Sequence, residues 1–194
     1  SSNTINPIRQ TFDTRDRVAA IITNGGEVCN IIPAYTSAKF SIRALTANRR
    51  DQLVQHVIAC AQAGADAIGC KLKTTLTPGY KEIIPNPILA ELFSNNLTSL
   101  GRVVTEPDPD ERMGSTDMGD LSHLIPCIHP YLETVPLSVT GHTQEFADLC
   151  LSTPARAAVL DAAKAIAMTV FDLLDDPDYL YQSQAALEKF LSQN

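Results

Sequence analysis

Apolar and polar positions alternate with a period of two in two stretches near the start of the chain. Arg17 to Thr23 (RVAAIIT) predicts a strand ended by Asn24-Gly25-Gly26. From Ala38 to Leu45, Ala38, Phe40, Ile42 and Ala44 alternate with Lys39, Ser41 and Arg43. That is the pattern of a half-buried strand with Arg43 on its polar side. The period then lengthens. Leu53, Val54, Val57, Ile58 and Ala61 recur at i, i+1, i+4, i+5 and i+8, which predicts an amphipathic helix with Asn48 as its N-cap and Gly64 as its C-terminal cap. Lys71 to Thr77 predicts a third strand, so residues 17–77 spell β-β-α-β, a small antiparallel α+β unit with one helix face on a sheet. Thr77-Pro78-Gly79 marks a turn, and Pro85-Asn86-Pro87 starts a second helix running to about Leu100. Thr153-Pro154 opens a long helix with Val159, Ala163, Ile166, Ala167, Val170, Phe171 and Leu174 along one side. Asp175-Asp176-Pro177 stops it, and a shorter amphipathic helix follows.

Composition narrows the class. The 194 residues suffice for one domain or two small ones, and 44% hydrophobic against 19% charged residues excludes a disordered chain. No apolar run reaches the roughly 18 residues of a membrane helix, and Ser1-Ser2-Asn3-Thr4 has neither the basic nor the apolar region of a leader. The net charge of −7 argues against nucleic acid and anionic membrane as partners. Cys29, Cys60, Cys70, Cys127 and Cys150 are odd in number and form no C-x-x-C pair. Reduced, buried thiols in a cytoplasmic protein are therefore expected.

Several patterns fail as sites. His123 and His129 lie six apart with Pro126 between them, so one helix face does not present both, and His56 belongs to the surface of the first helix. A calcium loop started at Asp108 needs Gly at 113 and Glu at 119, where the chain has Met113 and Gly119. The acidic run Glu106 to Glu111 reads instead as a solvated loop. Gly114-Ser115-Thr116-Asp117-Met118-Gly119 misses the nucleophile elbow G-x-S-x-G by one place. Only His142, in Gly141-His142-Thr143, has a distinctive setting, at a loop mouth after the Pro-bounded apolar segment Val135 to Val139.

Three stretches carry a family resemblance. Gly25-Gly26, Asn30-Ile31-Ile32-Pro33 and Phe40-Ser41-Ile42-Arg43-Ala44 resemble the N-[IV]-I-P-x(9)-R signature in the lid of the dinuclear zinc peptidases that include aminoacylase and carboxypeptidase G. Gly114 to Ser122, continuing to Ile128-His129-Pro130-Tyr131, resembles that family's second signature, nearest the branch of β-alanyl-lysine dipeptidase and p-aminobenzoyl-glutamate hydrolase. Gly141-His142-Thr143 is similar to its last metal-ligand motif. The three stand in family order and span nearly the whole chain.

The resemblance implies an α/β protein: an antiparallel α+β lid (dimerisation) unit over residues 1–79, then the carboxy-terminal half of a zinc-peptidase catalytic domain over residues 80–194. It implies hydrolysis of amide bonds in N-acyl amino acids or dipeptides, with two zinc ions in an intact relative and a homodimer formed through the lid. Arg43 would grip the substrate carboxylate, since a guanidinium fork matches its geometry. Asn30 would reach the substrate, Gly114, Ser115 and Thr116 would supply donors, and His142 would be a metal ligand. The family's H-x-D pair and paired glutamates do not occur in these residues. The chain is therefore expected to be a fragment, lacking the lid's first strand and the catalytic domain's first half, inactive and without tightly held zinc by itself. A non-catalytic dimerising or carboxylate-binding module is the alternative.

Each candidate has a plainer reading. Arg43 can be an exposed strand residue paired with an acid, and Asn30 can close a turn. Asp117 reads as structural, its carboxylate satisfying nearby backbone donors, and His129 before Pro130 as a packed residue.

Overall fold

A computed structural model describes residues 12–105 and 115–193. They divide into two compact units, one up to Glu82 and one from Ile83 onward. The protein is mixed α/β: among the described residues it has one two-stranded antiparallel sheet and six helices. None of these helices is long and apolar enough to cross a membrane. The acidic stretch 106–111 and Gly114 lie outside the described residues.

In the first unit, β1 (Arg17–Asn24) and β2 (Ser37–Arg43) pair with Val18 opposite Ile42 and Ala20 opposite Phe40, and the register slips between Ile22 and Asn24. Val18, Phe40 and Ile42 are half-buried and Ala19, Lys39, Ser41 and Arg43 exposed, but Ala20, Ile22 and Ala38, on the same face as Val18, are exposed too, so the expected alternation holds only at the Val18–Ile42 end. In the connection, Gly26 has φ +105°, and a Cβ there would lie 3.3 Å from the Pro33 ring, so this position needs glycine.

Helix α1 (Ala47–Asp66) buries Leu53, Val57 and Ala65. Its cap is Thr46, not Asn48: Thr46 has the extended backbone of an N-cap, its hydroxyl accepts from the Arg49 amide, and Asn48 already lies inside the first turn. Nor does Gly64 end the helix. The Cys70 amide donates to the Ala65 carbonyl and the Gly69 amide to that of Asp66, a Schellman closure around Gly69 at φ +67°. The predicted third strand is absent, and Lys71 to Thr77 is irregular. An alternating pattern suits a strand, but a strand forms only on a partner edge, and neither β1 nor β2 pairs with this segment.

Two arginines tie the unit together. Arg49 donates to one oxygen of the buried Asp16 carboxylate, from Nη2 at 2.7 Å and Nε at 3.1 Å, fixing the start of β1 to α1. Arg50 reaches the carbonyls of Gly79 and Tyr80.

In the second unit, α2 (Pro87–Ser99) begins as predicted: Pro87 occupies the first turn and the Asn86 side chain accepts from the Leu89 amide. Asn86 also donates through Nδ2 to the Ser183 carbonyl and through its amide to that of Cys127, so this buried residue joins three segments. The short helices α3 (Met118–Ser122) and α4 (Gln144–Leu149) precede α5 (Thr153–Asp175) and α6 (Asp178–Gln193). Phe93 and Leu97 of α2 pack with Ala165 of α5, flanked by Leu100, Ile128 and Leu132.

Helix α5 reverses the expected orientation. Its buried positions are Ala155, Ala158, Ala165 and Thr169, whereas all seven residues of the predicted apolar side are exposed. A polar lock sits on the buried side. Asn96 on α2 donates to the Thr169 hydroxyl at 3.1 Å and to the Asp172 carboxylate at 2.7 Å, and Thr169 donates on to the Ala165 carbonyl. These polar groups are satisfied on the side of α5 that faces α2.

Candidate functional site

Arg43 closes β2 on its exposed face. The register sets Arg17 of β1 directly opposite, so two cations share one end of that face. Arg17 is held by local acceptors, its Nη1 donating to the carbonyls of Thr14 and Asp16. The Arg43 side chain makes no ion pair or hydrogen bond with the other described residues. A guanidinium fork without a partner among the described residues suits a carboxylate. Arg17 escapes a reading by motif; only the strand register brings it in.

Asn30 is exposed in a turn closed by a bond from the Ile31 amide to the Val28 carbonyl, the plainer of its two readings. Ile31 and Ile32 beside it are exposed, Ile32 at 94%.

Ser115 and Thr116 lead into α3 in the second unit. The Thr116 hydroxyl accepts from the Met118 amide at 3.3 Å, while the exposed Ser115 makes no hydrogen bond among the described residues. Asp117 stands at the N-cap position, yet its carboxylate caps no amide; Thr116 performs the task expected of it. The turn is anchored from behind by Ser122, fully buried, which accepts from the Ile84 amide at 2.9 Å and donates to the Gly119 carbonyl at 2.6 Å. Ser122 is invisible to motif reading because its role depends on a partner 38 residues away.

His142 is exposed and has φ +64°, the only non-glycine in the left-handed region among the described residues. Gly141, which could adopt that conformation freely, does not. Thr143 holds the turn from the other side, its hydroxyl accepting from the Phe146 amide and donating to the Thr140 carbonyl. Histidine is one of the few non-glycine residues that enter this region readily. No hydrogen bond joins His142 to Ser115 or Thr116. His129 is exposed rather than packed, its ring 5.4 Å from that of Tyr131.

Among the described residues no three His, Cys, Asp or Glu side chains converge on a point that could hold a metal ion. The described residues do not fit a zinc centre: His142 offers one imidazole, and a stable site needs three or four ligands. All five cysteines are free thiols. Cys29, Cys70 and Cys150 are exposed, against the expectation of buried cysteines, because they sit in turns or at helix ends; Cys60 and Cys127 are half-buried. Burial pushes the Cys127 thiol above its ordinary range.

No protein-family profile matches the chain. Two curated proteins do. Xaa-Arg dipeptidase of Mus musculus is 32% identical over 176 residues, covering 89% of this chain and 41% of the relative. Xaa-Arg dipeptidase of Homo sapiens is 32% identical over 181 residues, covering 92% of the chain and 41% of the relative. This likeness supports a peptidase/amidohydrolase family. The chain spans about two fifths of the length of these relatives.

Proposed function

We propose that the chain is the substrate-holding part of a dipeptidase-like amidohydrolase acting on dipeptides or N-acyl amino acids with a free carboxylate, in the branch of β-alanyl-lysine dipeptidase and p-aminobenzoyl-glutamate hydrolase. The observation that carries the reading is the likeness to two Xaa-Arg dipeptidases across nearly all of this sequence. In this reading the Arg43 guanidinium takes the carboxylate through paired N–H donors. Arg17 opposite adds positive potential, Asn30 contributes a side-chain amide, and Gly114, Ser115 and Thr116 present donors to the substrate. Zinc, with His142 as one ligand, enters the proposal only where other polypeptide completes the ligand set.

A chimaera in which this chain replaces the matched residues of the human dipeptidase tests the proposal. It should hydrolyse dipeptides with a free carboxylate in a chelator-sensitive manner, while the chain alone, with added zinc, should not. Chelator-sensitive turnover by the isolated chain would refute the fragment reading. A folded chimaera that binds carboxylates without cleaving any member of a dipeptide and acyl amino acid panel would favour the non-catalytic alternative.

A further inference from the structure

Asn24 is the last residue of β1, it is exposed, and the residue after it is Gly25. The backbone nitrogen of the next residue can attack an asparagine side chain where three conditions meet. That nitrogen is free of a hydrogen bond, no Cβ crowds it, and the carboxamide lies over the following peptide rather than out in solvent. Asn24 meets all three. The Gly25 amide makes no hydrogen bond with the other described residues. Glycine has no Cβ and permits the rotation that brings nitrogen and carboxamide carbon together. The Asn24 Oδ1 accepts from the Gly26 amide at 3.2 Å, which folds the carboxamide back over the chain ahead of it. The other described asparagines each fail a condition. Asn86 precedes Pro87, which has no N–H. Asn95 and Asn96 lie inside α2, where the following amides belong to the helix ladder. The Arg49 amide after Asn48 donates to the Thr46 hydroxyl, and the Ile31 amide after Asn30 to the Val28 carbonyl.

From these contacts we infer that Asn24 is a site of spontaneous deamidation in the folded chain. The Gly25 nitrogen adds to Asn24 Cγ: the N–Cγ bond forms, the Cγ–Nδ2 bond breaks, and Nδ2 leaves as ammonia carrying the Gly25 proton. The cyclic imide that results takes up one water. Opening at Cγ yields aspartate, and opening at the main-chain carbonyl yields isoaspartate, whose backbone runs through Cβ and Cγ. Water enters, ammonia leaves, and nothing is oxidised or reduced. Either product adds one negative charge to the chain's −7. The aspartate keeps an acceptor for the Gly26 amide, now charged and therefore stronger. The isoaspartate lengthens the main chain by one atom where the ladder is already irregular, between Ile22 and Asn24. Pairing from Arg17 to Ile22 then keeps its register, while the connection carrying Asn30 is displaced. This modification goes beyond the proposed hydrolysis and stands whether or not that reading does.

Storage of the full chain in mildly alkaline buffer, followed by isoelectric focusing and peptide mapping, tests it. An acidic species is expected to accumulate under native conditions, to migrate with Asn24→Asp, and to map by mass spectrometry to the peptide containing residue 24. Ammonia should be released in equal amount, and the isoaspartate fraction should accept a methyl group from an isoaspartyl methyltransferase. Gly25→Ala should slow the conversion about tenfold or more, because its Cβ crowds the attacking nitrogen and restricts its rotation. That Cβ would lie 3.5 Å from Ile22 Cγ2, an ordinary contact, so circular dichroism and urea unfolding should match the parent chain. Asn24→Gln, whose longer side chain must close a larger ring, should not form the species at all. A parallel incubation in urea separates the folded chain from the unfolded one without any variant. No acidic species in the native chain, conversion confined to urea, an unchanged rate in Gly25→Ala, or modification mapped to another asparagine instead overturns the inference.

Discussion

Arg17 and Arg43 face each other across the hairpin at its open end, and only Arg17 is held by neighbouring acceptors. Like charges directly opposite on one sheet face are unfavourable, so removing either charge, or placing an anion beside them, would relieve the strand pairing.

Removing the repulsion should show first in stability. Arg43→Gln is expected to leave the hairpin unharmed or stabilise the chain by up to about 0.5 kcal/mol, in urea unfolding. In the chimaera, Arg43→Lys keeps the charge and loses the fork; substrates with a free carboxylate should weaken about tenfold while amidated analogues do not. Equal losses for both would make Arg43 a purely structural residue.

His142 should be replaceable without structural penalty. A left-handed non-glycine residue costs roughly 1–2 kcal/mol, so His142→Gly is expected to keep or raise stability by about 1 kcal/mol, measured by urea or thermal unfolding. A clear loss would show that the imidazole itself holds the turn.

The polar lock between α2 and α5 should be costly to open. Asn96→Ala strips the buried Thr169 and the half-buried Asp172 of a shared donor, which is expected to cost about 1–3 kcal/mol. Ser122→Ala should cost a similar amount by orphaning the Ile84 amide. Urea unfolding of both variants, singly and together, gives the values and shows whether they add.

Thiol chemistry should follow exposure and proton affinity. Cys127 is half-buried and holds its proton more tightly than an ordinary thiol, so at neutral pH it should react more slowly with a disulfide reagent than Cys29, Cys70 and Cys150. The sign for stability follows: the folded state binds this proton better than the unfolded one, so the contribution is present below the ordinary value of 9.0 and lost as pH rises through the raised one. Mass-resolved labelling against pH checks the order.

The hairpin should also self-associate. Both strands are edges, and Ile21, Ile22, Ile31 and Ile32 are exposed around them. A dimer is expected by light scattering and should survive Val170→Asp; a monomer at high concentration counts against it.

What the sequence revealed was whatever depends on near neighbours. Alternation located β1 and β2 and put Arg43 on the polar side, and Asn86-Pro87 marked the start of α2 because cap and proline act within one turn. Thr46 and Asn48 are both capping residues, and only the backbone angles of Thr46 choose between them. Whether Lys71 to Thr77 forms a strand depends on an edge elsewhere. Which side of α5 meets α2 depends on packing with residues distant in sequence, Phe93 and Leu97, whereas periodicity favours the bulkier side. At the candidate site, Arg43 was legible as an exposed strand residue, whereas Arg17 required the register and the strain at His142 runs against expectation with Gly141 beside it.

Ala165 is wholly buried between Phe93 and Leu97, so a single methyl group acts as the spacer between α2 and α5. The reach of 2.7 Å from Asn96 to Asp172 is calibrated to that spacing. A bulkier side chain at 165 would work as a wedge, prising the helices apart along their length and breaking the polar contacts a turn away without touching them. The helix pair thus has a gauge, and its smallest residue sets it.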